Sequence, residues 1–350
     1  MSILPTFKDI AAAHVRLEPY LLPTPLLSCP QLDRLVGGTV LLKPENLQRK
    51  GAFKFRGAFN AASMVDFDSY PGGLVACSSG NHAQGTAEAA RLLGVAAHIV
   101  MPKDAPAIKQ RGVITAGGTV VPYERGVEDR YAKAAALADE LGAAFIPPFD
   151  HHDVIAGQGT IGIEILTEAR ALGEKIDCIL VPTSGGGLVS GIALAAQSLE
   201  ADIDVRPVEP VGHDDFAISL ERGTRCTAHV GTDTALAEAN STSLCDALLT
   251  PMPGELTFAV AQERLGPGLS VDNDAVLRAM RFVFEELKLV VEPGGAAALA
   301  AVIEGKIDLR GLTCAVVLSG GNVDGHVFAK CFDAQRVTPP KVSALPLASE

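Results

Sequence analysis

The chain has 350 residues, 48% of them apolar and 20% charged, with a formal net charge of −12. That balance excludes a disordered or fibrous chain, and an acidic surface with dispersed Lys and Arg argues against a nucleic-acid partner. The length exceeds what one hydrophobic core usually serves, so two lobes with a cleft between them are expected.

The seven cysteines (Cys29, Cys77, Cys178, Cys226, Cys245, Cys314, Cys331) are widely spaced, with no CxxC pair. Neither a disulfide framework nor a zinc site is suggested, and buried thiols are the expectation. Met1 to Lys8 carries no basic segment followed by an apolar run, and no stretch is long enough to span a bilayer. The expectation is a cytoplasmic protein with no membrane partner.

In chain order, Lys54-Phe55-Arg56-Gly57 comes first among the informative segments. A lysine that binds an aldehyde as an imine must lose its proton, which apolar neighbours such as Phe53 and Phe55 promote. Gly73 to Cys77 then reads as a strand, and Ser78-Ser79-Gly80-Asn81-His82 closes it and opens a helix over His82 to Leu93. Such a junction offers hydroxyls and main-chain N–H groups to a carboxylate, or serves as ordinary capping. Nothing requires His82 to act as a base. Ala96 to Met101 reads as a strand, Asp104 to Ala116 as a helix, Gly118 to Pro122 as extended and Val127 to Leu141 as a helix. The Pro147-Pro148-Phe149-Asp150 text marks a loop from Gly142 to Gly157 and a lobe boundary.

Beyond it, Thr160 to Leu172 reads as a helix and Cys178 to Pro182 as a buried strand. Ser184-Gly185-Gly186-Gly187 follows, opening a helix over Leu188 to Leu199. Strand, glycine run and helix N-terminus are how backbone amides grip a phosphate, although the run is neither a dinucleotide fingerprint nor a Walker loop. Val205 to Glu209 reads as a strand, Asp274 to Lys288 and Gly294 to Glu304 as helices, and Thr313 to Leu318 as a strand. Gly223 to Ser243 resists reading, and the tail with Thr338-Pro339-Pro340-Lys341 is expected to be loose. Ser319-Gly320-Gly321-Asn322 ends the last strand, where ligands sit in open α/β sheets. A serine there can meet a ring nitrogen without forcing it to stay protonated. One lysine, two glycine-bearing loops and this serine make a site for pyridoxal 5'-phosphate.

These motifs resemble the fold-type II pyridoxal phosphate enzymes of the threonine/serine dehydratase and serine racemase family, over Pro23 to Val327. The resemblance implies a tryptophan synthase beta-like α/β fold: two open, twisted, mostly parallel sheets flanked by helices, with the active site between lobes. Residues 1–72 and 150–350 would form the larger, coenzyme-binding lobe, and 73–149 a smaller lobe carrying the carboxylate loop. It places the imine at Lys54, ring packing at Phe53, the 3'-oxygen contact at Asn81 and the ring-nitrogen contact at Ser319. The phosphate loop falls at Ser184, Gly185, Gly186 and Gly187, with Ser184 where many relatives carry glycine. The substrate carboxylate falls at Ser78, Ser79, Gly80, Asn81 and His82. By the same resemblance Ser79 matches the acid–base serine of serine racemases on the face opposite Lys54. Arg130, placed by counting back from Ala156-Gly157-Gln158-Gly159-Thr160, matches an arginine of serine racemases and hydroxyaspartate dehydratases that could clamp a second carboxylate. Glu209, the His213 carbonyl and Asp215 fall on the spacing of the family's divalent-cation site, suited to Mg²⁺ or Ca²⁺. A homodimer is the family's usual assembly.

The expected activity is loss of water and ammonia from a small β-hydroxy amino acid, L-threonine and L-serine first, giving a 2-oxo acid. The freed Lys54 is the expected base. 3-Hydroxyaspartate is the rival substrate, and serine racemisation a rival or second activity. A β-replacement enzyme and a non-catalytic ligand-binding relative are the alternatives from other classes, the latter disfavoured by the presence of Lys54.

Overall fold

A computed structural model describes residues 3–105, 107–228 and 242–337. Ten strands are present among them: β1 (Leu27–Ser28), β2 (Thr39–Pro44), β3 (Leu74–Cys77), β4 (Ala97–Pro102), β5 (Thr119–Tyr123), β6 (Ala144–Phe145), β7 (Cys178–Pro182), β8 (Asp204–Pro210), β9 (Leu269–Val271) and β10 (Thr313–Leu318). They form a six-stranded sheet in the order β1-β2-β10-β7-β8-β9 and a four-stranded sheet in the order β5-β4-β3-β6. Every pairing is parallel except that of β1 with β2. Parallel sheets need cover on both faces, and β3 and β7 accordingly carry buried residues at every position. The two mostly parallel sheets that the resemblance implies are therefore present.

The four-stranded sheet comes entirely from the chain between Leu74 and Phe145. Its apolar cluster also takes in Phe55, Phe59, Ala61 and Ala62 from the helix Lys54–Ala62. The six-stranded sheet packs separate apolar layers on its two faces, one around Val40, Leu42 and Val316, the other around Leu41, Ile179 and Val317. Alternate residues of the same strands feed the two layers, as the period of a strand requires.

Several boundaries differ from the sequence reading. A helix occupies His152–Ala171 rather than beginning at Thr160, because the His151 ring caps it by accepting from Asp153 N at 3.2 Å. The helix expected from Val127 starts at Arg130 instead, since Asp129 Oδ1 accepts from Tyr131 N at 2.8 Å and Ala132 N at 3.1 Å. Asn273–Phe282 is helical and continues as a π turn over Val283–Leu287, stopped by Lys288 in the left-handed region at φ 60°. Within the stretch Asp104 to Ala116 expected to be helical, the described helix is Ala107–Thr115. Helices at Phe7–Leu17, Pro30–Val36, Asp215–Arg222 and Glu255–Ala261 were not legible as such. Most of the segment Gly223 to Ser243 and the tail at Thr338-Pro339-Pro340-Lys341 lie outside the described residues.

One buried ion network ties the first helix of the site to the large sheet. Arg56, fully buried, donates to Glu45 at 2.8 Å and to Glu164 at 2.5 and 2.8 Å. Lys43 on β2 meets Glu164 at 2.8 Å. Burial works against the Arg56 charge, but Glu45 and Glu164 outweigh it and hold the guanidinium protonated.

Candidate active site

The carboxyl ends of the strands in both sheets converge on a cavity of about 130 Å³. Its lining includes Phe53, Lys54, Ser78 to His82, Arg130, Ser184 to Gly187 and Ser319. Every residue expected from the motifs to touch coenzyme or substrate is thus brought to one place, from segments as far apart in sequence as Phe53 and Ser319.

Lys54 is the first residue of the helix Lys54–Ala62, whose start is pinned to β10 by Phe53 N donating to Ser319 O at 3.1 Å. An isolated bridge between Ala52 and Gly320 reinforces that join. The Lys54 ammonium donates to Pro148 O at 2.7 Å and lies 5.1 Å from the centroid of the Phe53 ring. Burial lowers its pKa to about 8, so a substantial share of the amine is neutral near physiological pH.

The glycine run closes β7 and begins the helix Gly187–Leu199. Gly186 is its N-cap at φ 96°, and a Cβ there would stand 2.2 Å from Phe216 Cε2. A Cβ on Gly185 would meet the Phe149 ring at 2.5 Å. Side chains are excluded by packing as well as by backbone conformation, leaving a lining of main-chain groups at a helix N-terminus. The Ser184 hydroxyl accepts from Thr250 N at 3.1 Å, so it also anchors a neighbouring loop. Thr257 Oγ1 donates to Gly185 O at 2.6 Å and stiffens the turn.

On the other wall, the helix Asn81–Leu93 opens behind Ser78-Ser79-Gly80, with Gly80 N donating to Ser78 Oγ at 3.1 Å. Ser79 faces the same cavity as Lys54. The Asn81 amide is oriented at both ends: its Nδ2 donates to Glu292, and its Oδ1 accepts from Asn322 Nδ2 at 2.9 Å. His82 is buried, its Nε2 2.8 Å from Ile146 O. Burial, with help from the Lys54 charge, pushes its pKa down to about 3, so the ring is neutral.

Three ionisable residues of the cavity carried no sequence signal. Lys109, from the helix Ala107–Thr115, pairs with Asp246 at 2.6 Å, and Glu292 stands beside both. Burial pushes Glu292 up to about 7 against the pull of Lys109, with Asp246 adding to the rise. A lone Glu before Pro293, or a lone Lys in a polar helix, offers no periodicity or motif that would single it out.

Glu209, His213 and Asp215 lie apart from this cavity, at the end of β8 and the start of the helix Asp215–Arg222. The Glu209 carboxylate accepts from Phe216 N at 3.0 Å and Ala217 N at 2.8 Å, which makes it a cap of that helix. Among the described residues no three His, Cys, Asp or Glu side chains gather as a metal centre. Among them, too, no helix is long and apolar enough to cross a membrane.

A lysine of burial-lowered pKa across a cavity from a glycine-lined helix start, between two mostly parallel sheets, is the arrangement of a fold-type II pyridoxal phosphate enzyme. Residues 17–320 match the family model described as pyridoxal-phosphate dependent enzyme, and the chain belongs to that family. Its relatives place it in the ammonia-lyase and racemase branch. It is 40% identical over 337 residues to the L-threo-3-hydroxyaspartate ammonia-lyase of Saccharomyces cerevisiae, covering 96% of this chain and 99% of that one. The structure of the T.th. threonine deaminase superposes with a TM-score of 0.83 at 42% identity, over 91% of this chain and 99% of the other. Serine racemase from Dictyostelium discoideum superposes with a TM-score of 0.82 at 36% identity, over the same shares.

The residues present fit the coenzyme. A lysine amine of lowered pKa suits the aldehyde, a side-chain-free helix N-terminus suits the phosphate, and the buried Ser319 hydroxyl suits a ring nitrogen.

Proposed function

We propose that the chain is an ammonia-lyase for a 3-hydroxy amino acid, with L-threo-3-hydroxyaspartate ahead of the L-threonine and L-serine that sequence motifs put first. The observation carrying this reading is Arg130, which lines the same cavity as Lys54 and Ser79. A guanidinium there can hold a second carboxylate in bidentate fashion, which threonine and serine do not have. The 40% identity to a relative named for that substrate points the same way.

In this reading Lys54, Phe53, Asn81, Ser184 to Gly187 and Ser319 hold the coenzyme, which supplies an electron sink for the carbon beside the substrate amine. The N–H groups and hydroxyls at Ser78 to His82 hold the α-carboxylate at a helix N-terminus. The Lys54 amine, its pKa lowered to about 8 by burial, accepts the α-proton on one face. Ser79 lines the same cavity, and this supports serine racemisation as a second activity, by proton exchange on the opposite face. Residues 73–149 act as the smaller lobe. A divalent cation at Glu209, the His213 carbonyl and Asp215 belongs to the same reading, since two carboxyl groups and a carbonyl are oxygen ligands of the kind Mg²⁺ or Ca²⁺ takes.

The test is a panel of L-threonine, L-serine, D-serine and the diastereomers of 3-hydroxyaspartate, scored for 2-oxo acid. The reading expects the highest kcat/KM on L-threo-3-hydroxyaspartate, with Arg130→Ala depressing that substrate at least tenfold more than L-threonine. Equal losses on both would remove Arg130 from substrate recognition.

A further inference from the structure

Three consecutive residues of the Pro147-Pro148-Phe149-Asp150 loop touch three different parts of the site. Pro148 O accepts from the Lys54 ammonium at 2.7 Å. Phe149 packs on the glycine turn: a Cβ on Gly185 would stand 2.5 Å from its ring, and one on Gly187 3.0 Å from its own Cβ. Asp150 reaches past that turn to the helix Glu255–Ala261. Its Oδ2 accepts from Glu255 N at 2.9 Å, and its Oδ1 from Leu256 N at 2.8 Å and Thr257 N at 3.1 Å.

A helix leaves the N–H groups of its first turn unpaired, and a carboxylate answers them with charge as well as with geometry. The helix capped in this way is bound back to the glycine run. Gly254 N donates to Gly185 O at 3.1 Å, and Thr257 Oγ1 donates to the same oxygen at 2.6 Å. Ser190 Oγ, from the helix Gly187–Leu199, donates to Thr257 O at 2.8 Å. These contacts run in a chain from the Lys54 amine through Pro148, Asp150 and the start of the helix Glu255–Ala261 to Gly185. The joint at Asp150 is tight, since a Cβ on Gly254 would stand 2.3 Å from its Oδ1. Pro147 and Pro148 restrict the backbone before it, so a shift at Asp150 is carried to Pro148 O.

Helix packing fixes where Lys54 and the glycine run leave the main chain. It does not fix where the Lys54 amine points or how the Gly185 peptide is turned. We infer that Asp150 is a positioning residue for both: by clasping the helix Glu255–Ala261 it holds the Pro148 carbonyl that orients the Lys54 amine and the glycine turn that receives the coenzyme phosphate. Asp150 does not itself line the cavity of about 130 Å³. The inference rests on the coenzyme placement proposed above and deepens it.

The experiment uses the full chain stripped of coenzyme, as wild type, Asp150→Asn, Asp150→Ala and Lys54→Ala. Pyridoxamine phosphate carries an amine where the coenzyme has its aldehyde and cannot bond to Lys54, so its affinity by calorimetry reads the glycine cradle. The rate at which saturating pyridoxal phosphate develops the visible band of its bond to Lys54 reads the amine. Asp150→Ala is expected to weaken pyridoxamine phosphate about tenfold and to slow the band about tenfold, the scale of hydrogen bonds to a charged group. Asp150→Asn keeps an oxygen for Leu256 N and Thr257 N and loses the acceptor for Glu255 N, so both losses should shrink to about threefold to fivefold. A merely structural Asp150 would lower the urea midpoint and leave both readouts within twofold of wild type. That result would overturn the inference, as would a loss confined to one readout. If Asp150→Ala does not fold, the same two readouts in Asp150→Asn decide. A band retained by Lys54→Ala would remove the coenzyme placement, and the inference with it. A band lost in Lys54→Ala with both Asp150 variants like wild type would remove the role of Asp150 alone.

Discussion

The protonation of Lys54 gives a test that needs no knowledge of the substrate. Burial brings its pKa from the ordinary 10.5 to about 8. At about 1.36 kcal/mol per pH unit, the environment favours the neutral amine by about 3 kcal/mol. At pH 7.5 about a quarter of the molecules then carry a nucleophilic Lys54, against about one in a thousand for an exposed lysine. Protein stripped of coenzyme and mixed with pyridoxal phosphate should develop a visible band that borohydride fixes and that Lys54→Ala lacks. Its rate of growth, divided by the rate for a simple lysine derivative to remove the titration of the aldehyde itself, should fall as pH rises from about 8 to about 10. The amine of the protein is already neutral there while the free one is still losing its proton. A constant ratio across that range would refute the burial argument. The linked stability has a definite sign: with the folded pKa below the unfolded one, the coenzyme-free protein gains from this group as pH rises from about 8 to about 10.5.

Two further perturbations probe the scaffold. Gly186→Ala places a Cβ 2.2 Å from Phe216 Cε2 at φ 96°. Backbone strain alone costs about 1–3 kcal/mol, so affinity for pyridoxal phosphate in equilibrium dialysis should fall about tenfold or more. Affinity within twofold of wild type would detach the glycine run from coenzyme binding. Arg56→Met leaves Glu45 buried beside no guanidinium and should cost about 3–5 kcal/mol in urea unfolding. Adding Glu45→Gln should restore part of that, and a loss below about 1 kcal/mol in the single variant would refute the network's role.

The coenzyme site was legible because its parts are local. A strand, a turn rich in glycine or serine and a helix N-terminus occur in one continuous stretch at Cys77–His82 and again at Pro182–Leu188. Lys54 could be singled out only in their company. The beginning of the helix His152–Ala171 was hidden by Pro147 and Pro148, which read as breakers of a loop running to Gly157, and the helix also holds Gly157 and Gly159. Its packing shows why they are tolerated: Gly157 approaches Arg56 O, and Gly159 approaches Gly191 O, within 2.7 Å of an added Cβ. Lys109, Asp246 and Glu292 could not be read at all, since their meaning lies in a contact across long sequence separations. The metal expectation at Glu209, the His213 carbonyl and Asp215 came from the family resemblance, and in the structure the Glu209 carboxyl group accepts from the Phe216 and Ala217 amides.

That glycine seam has a consequence for how the enzyme can change over time. The helix His152–Ala171 touches, main chain to main chain, both the helix that begins at Lys54 and the helix that begins at the glycine run. The span from amine to anion cradle is therefore gauged by bare backbone, a ruler with no side chains to trim or lengthen. Residues at the rim of the cavity, which no such backbone contact fixes, can change while the gap between the two helices stays at one length.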